Sequence, residues 1–252
     1  MAQLEIDKSY LLLKKWWESI DLTNYEKTHL NKEIISFNQQ LIRLKEKKLR
    51  IGIYGKAGVG KSSILNLLLN KNKFKTSIIN GSTKKVEFKE WLFNHQILKT
   101  IELIDSPGFD SCNIKYPKNI FSQINNSELI LFTIAGDLNR NEVSQLNLFI
   151  KNGKKIIIVL NKIDTWSKYE LKKILKNIRS KLTQNINIPI ILNLGNNIET
   201  HIIETLNICG ESLLTLNSLQ LADKLFLQIK EQRLKRRQKL AQSTIGKFST
   251  LK

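Results

Sequence analysis

The run Gly55-Lys56-Ala57-Gly58-Val59-Gly60-Lys61-Ser62 has the spacing GxxxxGK[ST], that of a loop built to wrap phosphate groups. Its backbone from Gly55 through Ala57, Gly58, Val59 and Gly60 can turn several amides inward, and Ser63 carries the cradle into the first turn of the next helix. Lys61 would reach the β and γ oxygens of a nucleotide, and the Ser62 hydroxyl would ligate Mg²⁺. A second candidate is Asp105-Ser106-Pro107-Gly108. There Asp105 can hold Mg²⁺ through water, and the Gly108 amide can approach the terminal phosphate because no side chain blocks it. A third is Asn161-Lys162-Ile163-Asp164. A carboxylate at Asp164 can accept from guanine's N1–H and exocyclic amine together; adenine offers no such donor pair and would leave the charge unpaired.

These residues need a scaffold that carries them to one edge. Arg50–Tyr54, Ile97–Ile104, Leu129–Ala135, Ile156–Leu160 and Pro189–Leu194 are apolar runs that read as strands, several of them buried on both faces, as in a parallel sheet. Helical patterns fall between them at 62–69, 121–126, 141–151, 168–182 and 197–208. The alternation predicts an α/β fold, a mostly parallel doubly wound sheet with sites at the carboxyl ends of its strands and helices flanking it. All three motifs sit at such ends. Lys85–Phe93 and Ile97–Ile104, joined by Asn94-His95-Gln96, read as an antiparallel hairpin with His95 in its turn.

Lys61 precedes Asp105 by 44 positions and Asp105 precedes Asn161 by 56. With these motifs in this order, residues 50–208 resemble the TRAFAC-class P-loop GTPases, the Ras-like and Era-like G domains. The resemblance implies GTP and GDP with Mg²⁺ as ligands and hydrolysis of a phosphoric anhydride as the activity. It also implies a threonine that closes on Mg²⁺ and the γ-phosphate. Thr83, 22 residues before Asp105, fits best, with Thr76 as rival. Lys61, Thr83 and Gly108 are then the groups facing the transferred phosphoryl, and Ser62, Thr83 and Asp105 the metal ligands. The last base-contacting motif of the family is degenerate here as Asn193-Leu194-Gly195. Where Ras-like members carry a water-orienting glutamine this chain has Phe109, and where potassium-using Era-like members carry an asparagine it has Gly58. Slow intrinsic hydrolysis is the expectation, with a nucleotide-dependent homodimer or an activating protein supplying what is absent.

Outside this region, residues 1–49 form an N-terminal helical extension and 209–252 a basic amphipathic C-terminal helix. A first short helix holds Trp16 and Trp17, and a helix of about 20 residues follows from Tyr25 to Leu44, packed on the flank of the main domain. The 252 residues carry 41 Lys and Arg against 22 Asp and Glu, a net charge of +19, which favours anionic partners. Two suit it: an acidic membrane surface, reached through the basic run Arg233-Leu234-Lys235-Arg236-Arg237, and ribosomal or other RNA. A G domain acting only as a scaffold is a third reading, disfavoured by intact Lys61, Ser62, Asp105 and Asp164. No GxxG loop follows the G domain, so the KH route to RNA is not expected. Cys112 and Cys209 have no metal-ligand spacing, no secretory signal pattern opens the chain, and no apolar run reaches about 18 residues. A cytoplasmic protein, peripheral on a membrane at most, is the expectation. The stretch Gln232–Phe248 looks like the approach to a hydrophobic domain either lost or cut away.

Overall fold

The computed structural model describes residues 2–74, 83, 85–92, 95–110, 117–182, 188–195 and 197–249. Thr76, Cys112 and the hairpin's Asn94 lie outside them. The chain divides into two compact units, Glu46–Leu214 and a second made from Met1–Lys45 with Thr215–Lys252.

The first unit is built on a six-stranded sheet of β1 (Lys48–Gly55), β2 (Glu87–Trp91), β3 (Thr100–Asp105), β4 (Leu129–Ile134), β5 (Lys155–Leu160) and β6 (Ile190–Leu192). Their order across the sheet is β2-β3-β1-β4-β5-β6. Only β2 runs antiparallel, against β3; every other pair is parallel. Central strands of a parallel sheet have helices on both faces, so they read as unbroken apolar runs: all six residues of β4 are buried, as are the last five of β5. α4 (Lys61–Leu69), α5 (Pro117–Asn125), α6 (Arg140–Lys151) and α7 (Lys168–Lys181) lie between the strands. Capping boxes fix two of their starts, Asn139 with Glu142 and Ser167 with Glu170.

An aromatic cluster fills the core beneath the phosphate loop. Tyr54 meets Phe149 edge-on at 5.0 Å, and Phe149 stacks on Phe121 at 4.5 Å. β3 starts at Thr100 instead of Ile97 because the Nδ1 of His95 accepts the amides of Ile97 and Leu98, holding that stretch in a turn.

The other unit contains α1 (Ala2–Glu18), α2 (Asn24–His29) and α3 (Asn31–Glu46), together with residues 215–249 of α8 (Asn197–Ser249). The continuous helix expected over Tyr25–Leu44 is divided at Leu30 into α2 and α3, and a capping box of Thr23 and Glu26 sets the start of α2. Trp16 and Trp17 both meet Phe37, at 5.6 and 5.3 Å, and Trp16 meets Phe226 at 6.4 Å. Gln40 donates to the Ser218 hydroxyl at 3.0 Å, and Arg233 pairs with buried Glu26 at 2.8 Å. The two chain ends, read from sequence as separate extensions, thus build one unit.

The two helices expected after β6 are also a single one. No proline interrupts 197–249, and at Gly210 a Cβ would meet the Leu98 side chain at 3.0 Å, so this glycine serves a close approach inside the helix and does not end it. Among the described residues no helix is long and apolar enough to cross a membrane.

Phe149 is fully buried in the aromatic cluster. Phe149→Ala should lower the unfolding free energy by about 3–5 kcal/mol, the usual effect of an unfilled aromatic cavity, read as a shifted midpoint in urea denaturation.

Candidate functional site

β1 ends at Gly55 and α4 begins at Lys61, so the phosphate loop is the turn between a buried strand and a helix N-terminus. Gly58 and Gly60 hold φ of 77° and 90°, the left-handed region that glycine enters without strain. Gly60 is the N-cap of α4 and offers no side-chain cap, which leaves first-turn amides, among them those of Ser62 and Ser63, for an anionic ligand. Gly60 also has a second constraint. A Cβ there would lie 2.2 Å from the Asn161 side-chain nitrogen.

That nitrogen donates to the Val59 carbonyl at 2.8 Å, while the Oδ1 of Asn161 accepts from Asn193 at 2.6 Å and its backbone N–H donates to Ile134 O at 2.8 Å. Asn161 therefore joins the phosphate loop to the ends of β4 and β6. In the degenerate last motif, Asn193 makes this tether and accepts the Gly195 amide, while Leu194 is exposed. Lys162 takes a left-handed φ of 56° that turns the chain into the short 3₁₀ turn Ile163–Thr165, on which the Asp164 carboxylate is exposed to solvent.

On the other side of the loop the three expected metal ligands converge. Ser62 Oγ donates to Asp105 Oδ2 at 2.5 Å and stands 3.3 Å from Thr83 Oγ1, which is 3.5 Å from the same carboxylate oxygen. The other oxygen of Asp105 is buried and has no hydrogen-bond partner among the described residues. Two hydroxyls and one carboxylate with an unmatched oxygen suit a hard divalent cation that keeps several waters and takes phosphate oxygens as its remaining ligands.

Burial governs the charges here. Desolvation raises the Asp105 carboxyl above its ordinary range, against the pull of the Ser62 hydrogen bond and Lys61. It lowers Lys61 from 10.5 to about 8, against attraction by Asp105 and Asp110, and the Lys61 ammonium donates to the carbonyls of Gly55 and Lys56 at 3.1 and 2.6 Å. Lys56 points to buried Glu142, 3.6 Å away.

Gly108 packs so tightly on the loop that a Cβ would lie 2.2 Å from Ala57 N. The next residue, Phe109, stacks on Tyr54 at 5.3 Å and 15°, directed into the core. Sequence reasoning missed three contributors: Asn193 as a tether, Glu142 as the partner of Lys56, and Asp110, whose carboxylate accepts the Ala57 amide at 2.7 Å. Only for Glu142 was a local signal present, its place in a capping box with Asn139.

Residues 50–162 match the family described as 50S ribosome-binding GTPase. Among curated proteins, the chain is 30% identical over 166 residues to the tRNA modification GTPase MnmE of Mycoplasma genitalium, covering 62% of this chain and 37% of that one. It is 31% identical over 140 residues to GTPase Der of Deinococcus deserti, covering 53% and 31%. The chain thus spans about a third of the length of these relatives. Among solved structures, Aquifex aeolicus Era bound to GDP·AlF4⁻ superposes with a TM-score of 0.54 at 23% identity, covering 64% of this chain and 56% of that one. Era in complex with MgGDPNP and nucleotides 1506–1542 of 16S ribosomal RNA gives a TM-score of 0.52 at 25% identity and the same coverage.

Gly60→Ala should reduce nucleotide affinity at least roughly 30-fold, the equivalent of about 2 kcal/mol, because its Cβ displaces Asn161; a fluorescent-nucleotide titration with the far-UV spectrum unchanged would measure this. Phosphate oxygens beside Lys61 should restore its charge. Nucleotide binding at pH 8.5 should therefore take up a proton, with uptake fading below about pH 7 where Lys61 is already protonated. Calorimetry in buffers of different ionisation enthalpy reads this directly.

Proposed function

We propose, from the premise that residues 50–162 are a P-loop GTPase domain of the TRAFAC class, that this chain is a Mg²⁺-dependent guanine-nucleotide switch that hydrolyses GTP slowly on its own. The observation that carries the reading is the pairing of two halves of one site through Asn161: a phosphate loop on one side and an exposed Asp164 carboxylate on the other. GTP and GDP are the ligands that this arrangement fits. The proposed catalytic region, residues 50–208, falls within the unit Glu46–Leu214.

In the bound complex Lys61 would neutralise β and γ oxygens, and the amides of the α4 N-terminus would hold the phosphates in line. Mg²⁺ on Ser62, Thr83 and Asp105 would supply charge neutralisation at the β and γ phosphates. Gly108 would bring its amide to the terminal phosphate. Phe109, turned into the core against Tyr54, does not orient water. The attacking water must be placed by something else, either a second copy of the chain or an activating protein.

For the partner, RNA phosphate is the better supported of the two readings. The +19 charge suits it, the matched family is described as ribosome-binding, and one Era structure contains 16S ribosomal RNA. The membrane reading relies on the basic run of α8, yet Arg233 is taken up by Glu26 and the Asp21 carbonyl, and Lys235 by Glu231. What favours it still is that Leu227, Leu234, Arg236 and Arg237 of α8 are all exposed.

Calorimetry with Mg²⁺ should give tight binding of GTP and GDP and at least roughly 100-fold weaker binding of ATP, a difference of about 2.7 kcal/mol. Asp164→Ala should remove most of that preference. Equal affinity for ATP and GTP would overturn the assignment. Purified protein should turn over GTP well below about 1 s⁻¹. Sedimentation with ribosomal particles should fall steeply between low and high salt, and retention on anionic vesicles in place of ribosomes would favour the membrane reading.

A further inference from the structure

Asp110 belongs to none of the three nucleotide motifs, yet its carboxylate occupies one of their hydrogen-bond donors. Its Oδ1 accepts the backbone N–H of Ala57 at 2.7 Å. Ala57 lies at the end of the loop against which Gly108 is pressed, since a Cβ on Gly108 would come within 2.2 Å of Ala57 N and 2.8 Å of its Cβ. The Gly108 amide is the group that would meet a terminal phosphate, so the Ala57 donor belongs to the same end of the ligand.

The charge around this contact is unbalanced. Lys61 feels the Asp110 carboxylate, but its ammonium donates to Gly55 and Lys56 carbonyls. Lys56, the other cation of the loop, is drawn to Glu142. A γ-phosphate arriving at the Ala57 amide must break a charge-assisted hydrogen bond and then stand beside the displaced carboxylate. A diphosphate, held by the amides of the α4 N-terminus, does neither. The carboxylate is exposed, so solvent screening limits the repulsion to a modest factor.

We propose that Asp110 is a specificity-determining residue that competes with the terminal phosphate for the Ala57 amide and so biases the site toward GDP over GTP. The inference rests on the guanine-nucleotide reading given above. Asp110→Asn keeps an acceptor oxygen and removes the charge; Asp110→Ala removes both.

The test is a titration of wild type and both variants with GDP and with a non-hydrolysable GTP analogue, each with Mg²⁺. Affinity for the analogue should rise about fivefold in Asp110→Asn and about tenfold or more in Asp110→Ala. Affinity for GDP should stay within about twofold of wild type, which also shows that the variants are folded. Equal changes for both nucleotides, no change for either, or weaker binding of the analogue would overturn the inference. The last of these would instead make Asp110 a contributor to triphosphate binding. Wild type that binds neither nucleotide would overturn the GTPase assignment itself, whereas wild type with normal GDP affinity and an unmoved ratio in the variants overturns the role of Asp110 alone.

Discussion

The site depends on the side-chain amide of Asn161. An amide offers a donor and an acceptor in one rigid plane, and here both are used between segments far apart in sequence: the donor on Val59 O, the acceptor taking Asn193. Its backbone N–H meets Ile134 at the end of β4. Three loops at the carboxyl edge of the sheet are thereby held at fixed spacing. On the proposed reading, the spacing between the phosphate loop and the Asp164 turn would let one ligand meet both at its anionic and its aromatic end, and Asn161 ties the loop to the strand ends beside that turn. Gly60 is the complementary constraint, because any larger residue would occupy the place of that amide.

Around this tether, burial makes the site electrostatically strained. Lys61 is shifted down and Asp105 up, each toward its neutral form, by the same loss of water. Each is held in part by the other's charge. On the proposed reading, a ligand that brought phosphate to Lys61 and a divalent cation to Asp105 would relieve both shifts at once. The buried oxygen of Asp105 that has no hydrogen-bond partner among the described residues is the clearest sign of this, since a buried acceptor without a donor costs free energy that a cation or its water would recover.

Much of the fold was legible because the strands at its centre are buried on both faces and so are marked by composition alone; 129–134 and 155–160 need no partner information to be recognised. The motif residues were legible because their chemistry requires particular side chains at particular spacings, and Ser62, Thr83 and Asp105 do lie together. Hidden from sequence were contacts whose meaning is set by distance in space. Nothing local to Asn193 distinguishes a tether to Asn161 from a base contact, and nothing local to Asp110 points to Ala57. The closure of the chain ends into one unit was hidden for the same reason, since Gln40 and Ser218 lie 178 positions apart. Hidden in the same way was the role of Gly210, whose missing Cβ admits the Leu98 side chain within one continuous helix.

Phe109 shows how core and chemistry compete for one position. The residue after Gly108 is the first that can aim a side chain at the terminal phosphate, and a polar group there would orient water. An aromatic ring instead extends the cluster of Tyr54, Phe121 and Phe149 to the rim of the site. Such stacking contributes about 0.5–1.5 kcal/mol beyond the area it buries. It anchors the segment after Gly108 to the strand that carries the phosphate loop, and Asp110 can reach Ala57 because that anchor holds its neighbour. The ring that stacks on Tyr54 thus precedes the carboxylate that meets the loop. On the proposed reading, the ring gives the phosphate site rigidity, and the attacking water would be placed by a group that docks against it.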